Sequence, residues 1–324
     1  MAIKKSELYS TLWKCCDELR GGMDAGQYKD YVLVILFVKY ISDKHKTDSD
    51  FMIEIPDGCF FDNFVALKGH SNIGEEMNKK MASLAEANGL DNVINVADFC
   101  NEQKLGKGKD LVETLSGLIG VFENSDLDFG RNRASDDDLM GDAYEYLMKN
   151  FATESGKSKG QFYTPAEVSR VIAKVLELDK ARKGISTTIY DPTCGSGSLL
   201  LRALAETSKG ATLYGQEKDN ATVGLAKMNM ILHGEMYAEI KQGDTINDPQ
   251  YKDGHLRTFD YVVANPPFST KSWLKSAKEE DEYGRWGQRN NIGIPPEKNG
   301  DYAFLLHIVR SIARTGCGAC ILPH

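Results

Sequence analysis

The chain has 324 residues, 41% hydrophobic and 27% charged, which suits two globular domains with enough apolar material for a core in each. A formal net charge of −8 argues against a protein that wraps nucleic acid over its whole surface, because phosphate binding draws on Lys and Arg, so any DNA contact is expected to be local or supplied by a partner. The apolar run at residues 31–37 is far too short to cross a bilayer, and MAIKKSELYS has no apolar stretch behind its lysines, so the sequence reads as cytoplasmic and without a membrane role.

The first 150 residues follow helical spacing. SELYSTLWKCCDELR predicts a helix with Ser6 as N-cap and Leu8, Leu12 and Leu19 on its apolar positions, and GGMDAGQ connects it to a second helix over 28–41. Further helices are predicted over 74–87, 93–99, 111–122 and 139–151. Residues 1–150 therefore read as an all-α domain without catalytic spacing, for which docking or scaffolding is the default role. TESGKSKGQ, residues 153–161, is rich in Gly, Ser and Lys and reads as a linker.

Residues 151–324 change character. After a helix over 166–178, strand-like and helix-like runs alternate: TTIYD, SLLLRALAETS, ATLYGQE, TVGLAKMNMILHG, AEIKQGD and FDYVVAN. That alternation predicts right-handed crossovers and an α/β domain with a doubly wound, mainly parallel sheet. Seven cysteines, odd in number and scattered, are expected to be free thiols. Cys317 and Cys320 form a C-x-x-C without a second pair, and the expectation is two small buried side chains and no metal.

DPTCGSGSLL, residues 191–200, places an acid and then Gly195 and Gly197 ahead of a helix starting near Ser198, a turn that lets a ligand press against backbone at a helix N-terminus. Leu200 stands where a dinucleotide fingerprint needs a third small residue, and Asp191 suits a cationic amino group better than a pyrophosphate. Glu217 ends the second strand, placed for the two hydroxyls of a ribose, and Asp244 ends the third, where a short acceptor could take an adenine amino group. Each acid alone is more often a solvated loop end or helix cap; their recurrence at three successive strand ends is the signal. In DYVVANPPFST, Pro266 and Pro267 stop a strand abruptly and leave a stiff turn at Asn265. By itself that tetrad fits a structural turn as well as a functional one.

In this order the pieces resemble the class I S-adenosylmethionine-dependent methyltransferases, and NPPF is similar to their amino-methylating branch. The resemblance implies S-adenosyl-L-methionine as cofactor, the Asn265 carboxamide oxygen and the Pro266 carbonyl as acceptors for a target amine, Pro267 as stiffener and Phe268 as a stacking face. GQFYTPAEV, residues 160–168, looks like the motif ahead of the glycine turn in modification subunits of type I restriction-modification systems, which are N6-adenine DNA methyltransferases. It implies cofactor contacts at Gln161, Phe162, Tyr163, Thr164, Pro165 and Ala166, beside Asp191, Gly195, Ser196, Gly197, Ser198, Glu217 and Asp244. GDAYEYLMKNFA, residues 141–152, and the helical first domain are similar to the same family, so the likeness covers nearly the whole chain. Gln161 departs from the Glu that many relatives carry. The implied partners are DNA, a DNA-specificity subunit, a second modification subunit and a restriction nuclease subunit. GACILPH, residues 318–324, looks like the fifth strand and its exit, after which family members continue with further strands and a helical region; a truncated piece that does not methylate DNA alone is the resulting expectation. An RNA-base or protein-glutamine methyltransferase and a non-catalytic assembly module are the competing readings.

About 30 residues separate Phe268 from the predicted helix DYAFLLHIVRSIA, a length that calls for function or disorder. They carry Lys271, Lys275, Lys278, Arg285 and Arg289 with Trp273 and Trp286 between them, which suits phosphate contact and stacking on extruded DNA. A solvated linker holding Glu279, Glu280, Asp281 and Glu282 fits as well.

Overall fold

Eight consecutive apolar residues cannot share one face of a helix, so a helix that carries them has to be covered all round. Residues 31–38 do this inside α1 (Ala25–Thr47), every one of them at most 1% exposed. The computed structural model describes residues 9–14, 25–124, 127, 129, 139–154, 164–181, 184–271, 273, 280–288 and 291–323. They fall into two units, one mainly Met1–Lys157 and the other mainly Ser158–Met230 with Glu235–His324.

In the first unit, α1 is surrounded by α2 (Phe61–Val65), α5 (Lys109–Phe122) and α6 (Leu139–Glu154), while α3 (Ile73–Asn88) and α4 (Glu102–Leu105) pack on α5. Edge-to-face ring pairs join Tyr28 to Phe151 at 5.7 Å and Tyr31 to Phe99 at 5.5 Å. Residues 9–14 are helical, and the proposed cap Ser6 lies outside the described residues. The helix expected over 93–99 does not form. Its apolar residues Val93, Ile94, Ala97 and Phe99 are buried, but short polar side chains capture the backbone first: Asn95 Oδ1 accepts the Asn92 N–H at 2.6 Å and Asp98 Oδ1 the Cys100 N–H at 2.9 Å.

The second unit alternates as the spacing predicts: α7 (Ala166–Val175), β1 (Thr188–Asp191), α8 (Ser198–Ala205), β2 (Thr212–Glu217), α9 (Asn220–Leu232), β3 (Glu239–Gln242), a two-residue hairpin β4 (Lys252–Asp253) and β5 (His255–Leu256), β6 (Phe259–Ala264), α10 (Asp301–Ser311) and β7 (Ile312–Cys320). The main sheet is parallel in the order β3-β2-β1-β6-β7. Side chains alternate across it. Ile189, Leu213 and Val263 join Ile172, Leu199 and Leu200 on one face, while Tyr190, Tyr214, Phe259 and Val262 pack with Tyr251 and Ile308 on the other.

Two expectations change at the end of the chain. The fifth parallel strand begins at Ile312, directly from α10, six residues ahead of GACILPH, whose Gly318, Ala319 and Cys320 end the strand opposite Val262, Val263 and Ala264 and whose remainder is the exit. Cys317 is exposed and Cys320 partly so, β7 standing at the edge of the sheet among the described residues; they are not buried, and among the described residues no group of ligands could hold a metal. Among the described residues no helix is long and apolar enough to cross a membrane.

Tight packing in the helical unit gives a test. A Cβ on Gly74 would stand 2.4 Å from the Phe99 carbonyl oxygen, a backbone atom that cannot swing away. Gly74→Ala is expected to cost about 1–3 kcal/mol, seen as a lower urea midpoint.

Candidate active site at the strand tips

After β1 the chain builds β2 and β3 to one side, then returns to place β6 and β7 on the other, so the β1/β6 boundary is the switch point of the sheet, where a crevice opens at the carboxyl ends. Register brings the tips level. Asp191 lies opposite Gly215, Tyr190 opposite Val262, and Glu217 opposite Gln242.

The glycine turn after β1 needs left-handed backbone at Gly195 (φ +54) and Gly197 (φ +80). A Cβ on Gly197 would meet Met230 Cε at 2.5 Å, so the turn is pressed against α9. From the same helix, buried Asn229 donates to the Ser196 carbonyl at 2.9 Å. Glu217 closes on the turn from the next strand. Its Oε2 accepts the Gly195 N–H at 3.1 Å and its Oε1 the Asp219 N–H at 2.9 Å, which fixes the carboxylate while each oxygen keeps a further lone pair.

Asp191 is 1% exposed and accepts the Thr193 N–H at 2.9 Å. Burial, helped by the nearby Glu217 charge and opposed by the Thr193 bonds, raises its carboxyl to about 7. Burial also raises Glu217, against the backbone N–H groups that stabilise its charge. Asp244 is used differently from the free acceptor that the sequence suggests. Its Oδ1 accepts the Ile246 and Asn247 N–H groups at 3.0 and 3.1 Å, and its Oδ2 pairs with Lys218 at 2.7 Å. Burial pushes this carboxyl up, but the Lys218 and Asn247 bonds outweigh it and hold it below the usual range. A buried acid poised to take a cation, a fixed carboxylate able to accept hydroxyls, and a glycine turn between them fit S-adenosylmethionine; three carboxylates at adjacent tips do not fit a pyrophosphate.

Across the switch point, Asn265 follows β6 directly and is half-buried; Pro266 is buried, and Pro267 and Phe268 are exposed, the ring at 49%. Asn265 Nδ2 donates to Thr164 Oγ1 at 3.2 Å, so a residue 101 positions earlier sets the carboxamide and leaves Oδ1 as its acceptor. The turn is anchored on its far side by Asp301, 6% exposed, whose Oδ1 accepts the Ser269 N–H at 2.7 Å, while Ser269 takes the unusual φ of +53. Thr270 Oγ1 donates to the Pro267 carbonyl at 3.1 Å. The sequence did not single out Asp301, although an acid opening a helix is a signal of its own. Pro165 is exposed and Ala166 begins α7, whereas Gln161, Phe162 and Tyr163 lie outside the described residues.

The segment after this turn answers to neither sequence reading. Trp273 and Trp286 are 4% and 1% exposed and meet edge to face at 5.3 Å; with Ile246, Ala303 and Phe304 they form a small core of their own. Arg285 is 2% exposed and paired with Asp281 at 2.7 Å. Rings and guanidinium are spent on packing, so they are available neither to phosphate nor to bases. Lys275, Lys278 and Arg289 lie outside the described residues, and Lys271 is exposed.

Sheet order, glycine turn and strand-end acids together define the class I S-adenosylmethionine-dependent methyltransferase fold, here with an α-helical N-terminal unit. The chain belongs to the N-6 DNA methylase family, which matches residues 135–324, and residues 8–122 match the HsdM N-terminal domain. It is 30% identical over 359 residues to the type I restriction enzyme MjaIX methylase subunit of Methanocaldococcus jannaschii, covering 98% of this chain and 61% of that protein. To the MpnII methylase subunit of Mycoplasma pneumoniae it is 29% identical, covering 96% and 66%. The chain thus spans less than two thirds of these relatives. A solved type I restriction-modification methyltransferase subunit from Streptococcus thermophilus superposes with a TM-score of 0.86 at 29% identity, over 99% of this chain and 75% of that one.

Asp191 should leave a mark on stability. Its raised carboxyl keeps a proton in the folded chain that the unfolded chain has released above about pH 4, so its contribution to stability is lost as pH rises toward 7. Asp191→Asn is expected to match wild type near pH 4 and to exceed it at pH 8 by up to ~4 kcal/mol, read from urea unfolding at the two pH values.

Proposed function

We propose that the protein is the modification subunit of a type I restriction-modification enzyme and methylates the N6 amine of adenine in DNA, with S-adenosylmethionine as donor. The observation that carries this reading is the Thr164–Asn265 hydrogen bond, which joins the GQFYTP and NPPF motifs and spends the amide nitrogen on the protein so that the oxygen is kept for a substrate. An exocyclic adenine amine is a poor nucleophile because its lone pair is delocalised into the ring. Asn265 Oδ1 and the Pro266 carbonyl, held by the prolines and by Asp301, accept its two hydrogens, draw the nitrogen toward pyramidal geometry and localise the pair. Phe268 offers a face to the extruded base.

On the donor side, Asp191 takes the amino group, Glu217 the ribose hydroxyls and Asp244, through the lone pair that its Oδ2 keeps beside Lys218, the adenine amine, while the turn at Gly195, Ser196, Gly197 and Ser198 allows close approach to backbone. Thr164, Pro165 and Ala166, with Gln161, Phe162 and Tyr163 of the same motif, are the residues assigned to contact with the methionine part. When bound, S-adenosylmethionine supplies an electrophilic methyl group on a sulfonium. The nitrogen that receives it becomes acidic, so its proton leaves without a strong base. A separate DNA-specificity subunit chooses the site, in keeping with the acidic charge of this chain, and a second modification subunit and a nuclease subunit complete the assembly in the cytoplasm.

The test is transfer of labelled methyl to adenine-containing DNA by the complex with its specificity subunit. Asn265→Ala is expected to lower transfer at least ~100-fold with a much smaller loss of donor affinity, since Asn265 meets the donor side only through Thr164. Glu217→Ala is expected to abolish calorimetric donor binding. Label appearing on RNA or protein but not on adenine, or an Asn265→Ala enzyme of normal rate, would refute the reading.

A further inference from the structure

A guanidinium buried to 2% exposure is costly unless every donor is used. Arg285 uses all five. Nε and Nη2 clasp Asp281 at 3.0 and 2.7 Å, Nη1 donates to the Thr245 carbonyl at 3.0 Å and to His307 Nδ1 at 3.3 Å, and Nη2 donates to the Ile246 carbonyl at 2.7 Å. Those two carbonyls belong to the turn whose N–H groups hold Asp244. One short stretch, 244–247, is therefore gripped twice, by the Asp244 carboxylate through its amides and by Arg285 through its carbonyls.

The grip reaches in both directions. Thr245 Oγ1 donates to the Pro192 carbonyl, next to Asp191. His307, kept neutral because burial and the adjacent Arg285 lower its pKa to about 3, accepts with Nδ1 and so presents Nε2–H to Tyr190 Oη at 3.2 Å, again next to Asp191. Asp281 is itself braced by the Tyr283 and Arg285 N–H groups at 3.1 and 2.8 Å. Independently of these polar bonds, Ile246 packs into the Trp273–Trp286 core, so the segment beyond NPPF is seated on the donor-side turn by apolar contact as well.

We propose that Arg285 is a positioning residue that couples the donor site to the segment following the NPPF turn, holding Asp244 in its binding shape so that donor binding and the order of residues 280–288 rise together. The proposal rests on the reading of Asp244 as the adenine end of the donor site. Coupling of this kind is reciprocal, so donor occupancy must be felt in 280–288 and Arg285 must be felt in donor affinity.

The 324-residue chain serves for the test, with S-adenosylmethionine as titrant and amide hydrogen exchange as second readout. Arg285→Lys keeps the charge but cannot serve both carbonyls; it is expected to weaken binding ~10-fold and to speed exchange at Ile246 and Asn247 while β1 and β6 stay protected. His307→Phe, which keeps a ring but removes both the acceptor for Arg285 and the donor to Tyr190, is expected to weaken binding ~3-fold and covers the case of a poorly folded Arg285→Lys chain. If Arg285 acts through Asp244, Arg285→Lys adds little to the loss caused by Asp244→Ala, and donor added to wild type slows exchange in 280–288. Losses that multiply in the double variant, wild-type affinity in both single-site variants, or exchange in 280–288 indifferent to donor would each overturn the proposal. A wild-type chain that binds no donor overturns the donor reading instead; the grip itself is then decided by whether Arg285→Lys speeds exchange at Ile246 and Asn247.

Discussion

The side chains that matter here hang from strand ends, and a strand end is placed only by the ladder behind it. β1 is the strand on which everything is registered: it pairs with β2 on one side and β6 on the other, both parallel. That register puts Asp191, Glu217 and Asn265 at one edge although they are far apart in sequence. Its strength comes from both faces, aliphatic under Ile189 and aromatic under Tyr190, where Tyr190 and Phe259 stack at 4.4 Å. A slip of one residue would exchange the two faces and bury the wrong side chains, so packing specifies the site geometry before any ligand is present.

Around that edge the protein repeatedly uses a carboxylate to fasten a backbone turn. Glu217 holds the glycine turn, Asp244 holds its own exit turn, and Asp301 holds the turn after Phe268. Charge near the tips thus has two tasks at once. A group such as Glu217 is rigid because one lone pair of each oxygen is already committed, and rigidity is what a site needs if a ligand is to meet it without reorganisation.

Much of this was legible in the sequence, and for local reasons. Strand–helix alternation, the need for positive φ at Gly195 and Gly197, and the strand stop at Pro266 and Pro267 are each written in a few neighbouring residues. What failed was non-local. Arg285, Trp273 and Trp286 have a composition that suits either nucleic acid or a small core, and only the position of Ile246 and the Thr245 carbonyl, some 40 residues upstream, decides between them. The 93–99 stretch misled differently, since its apolar spacing was right and its Asn and Asp side chains won the competition for backbone. Thr164 was singled out for one partner and turned out to have another, Asn265, which no spacing rule connects to it.

Phe268 leaves a ring about half in water next to the exposed Pro267. Hydration of such a surface is unfavourable, and any flat apolar body settling on it returns that free energy whatever donors and acceptors line its rim. A bare aromatic plate therefore sorts planar from non-planar visitors and is blind to their lettering.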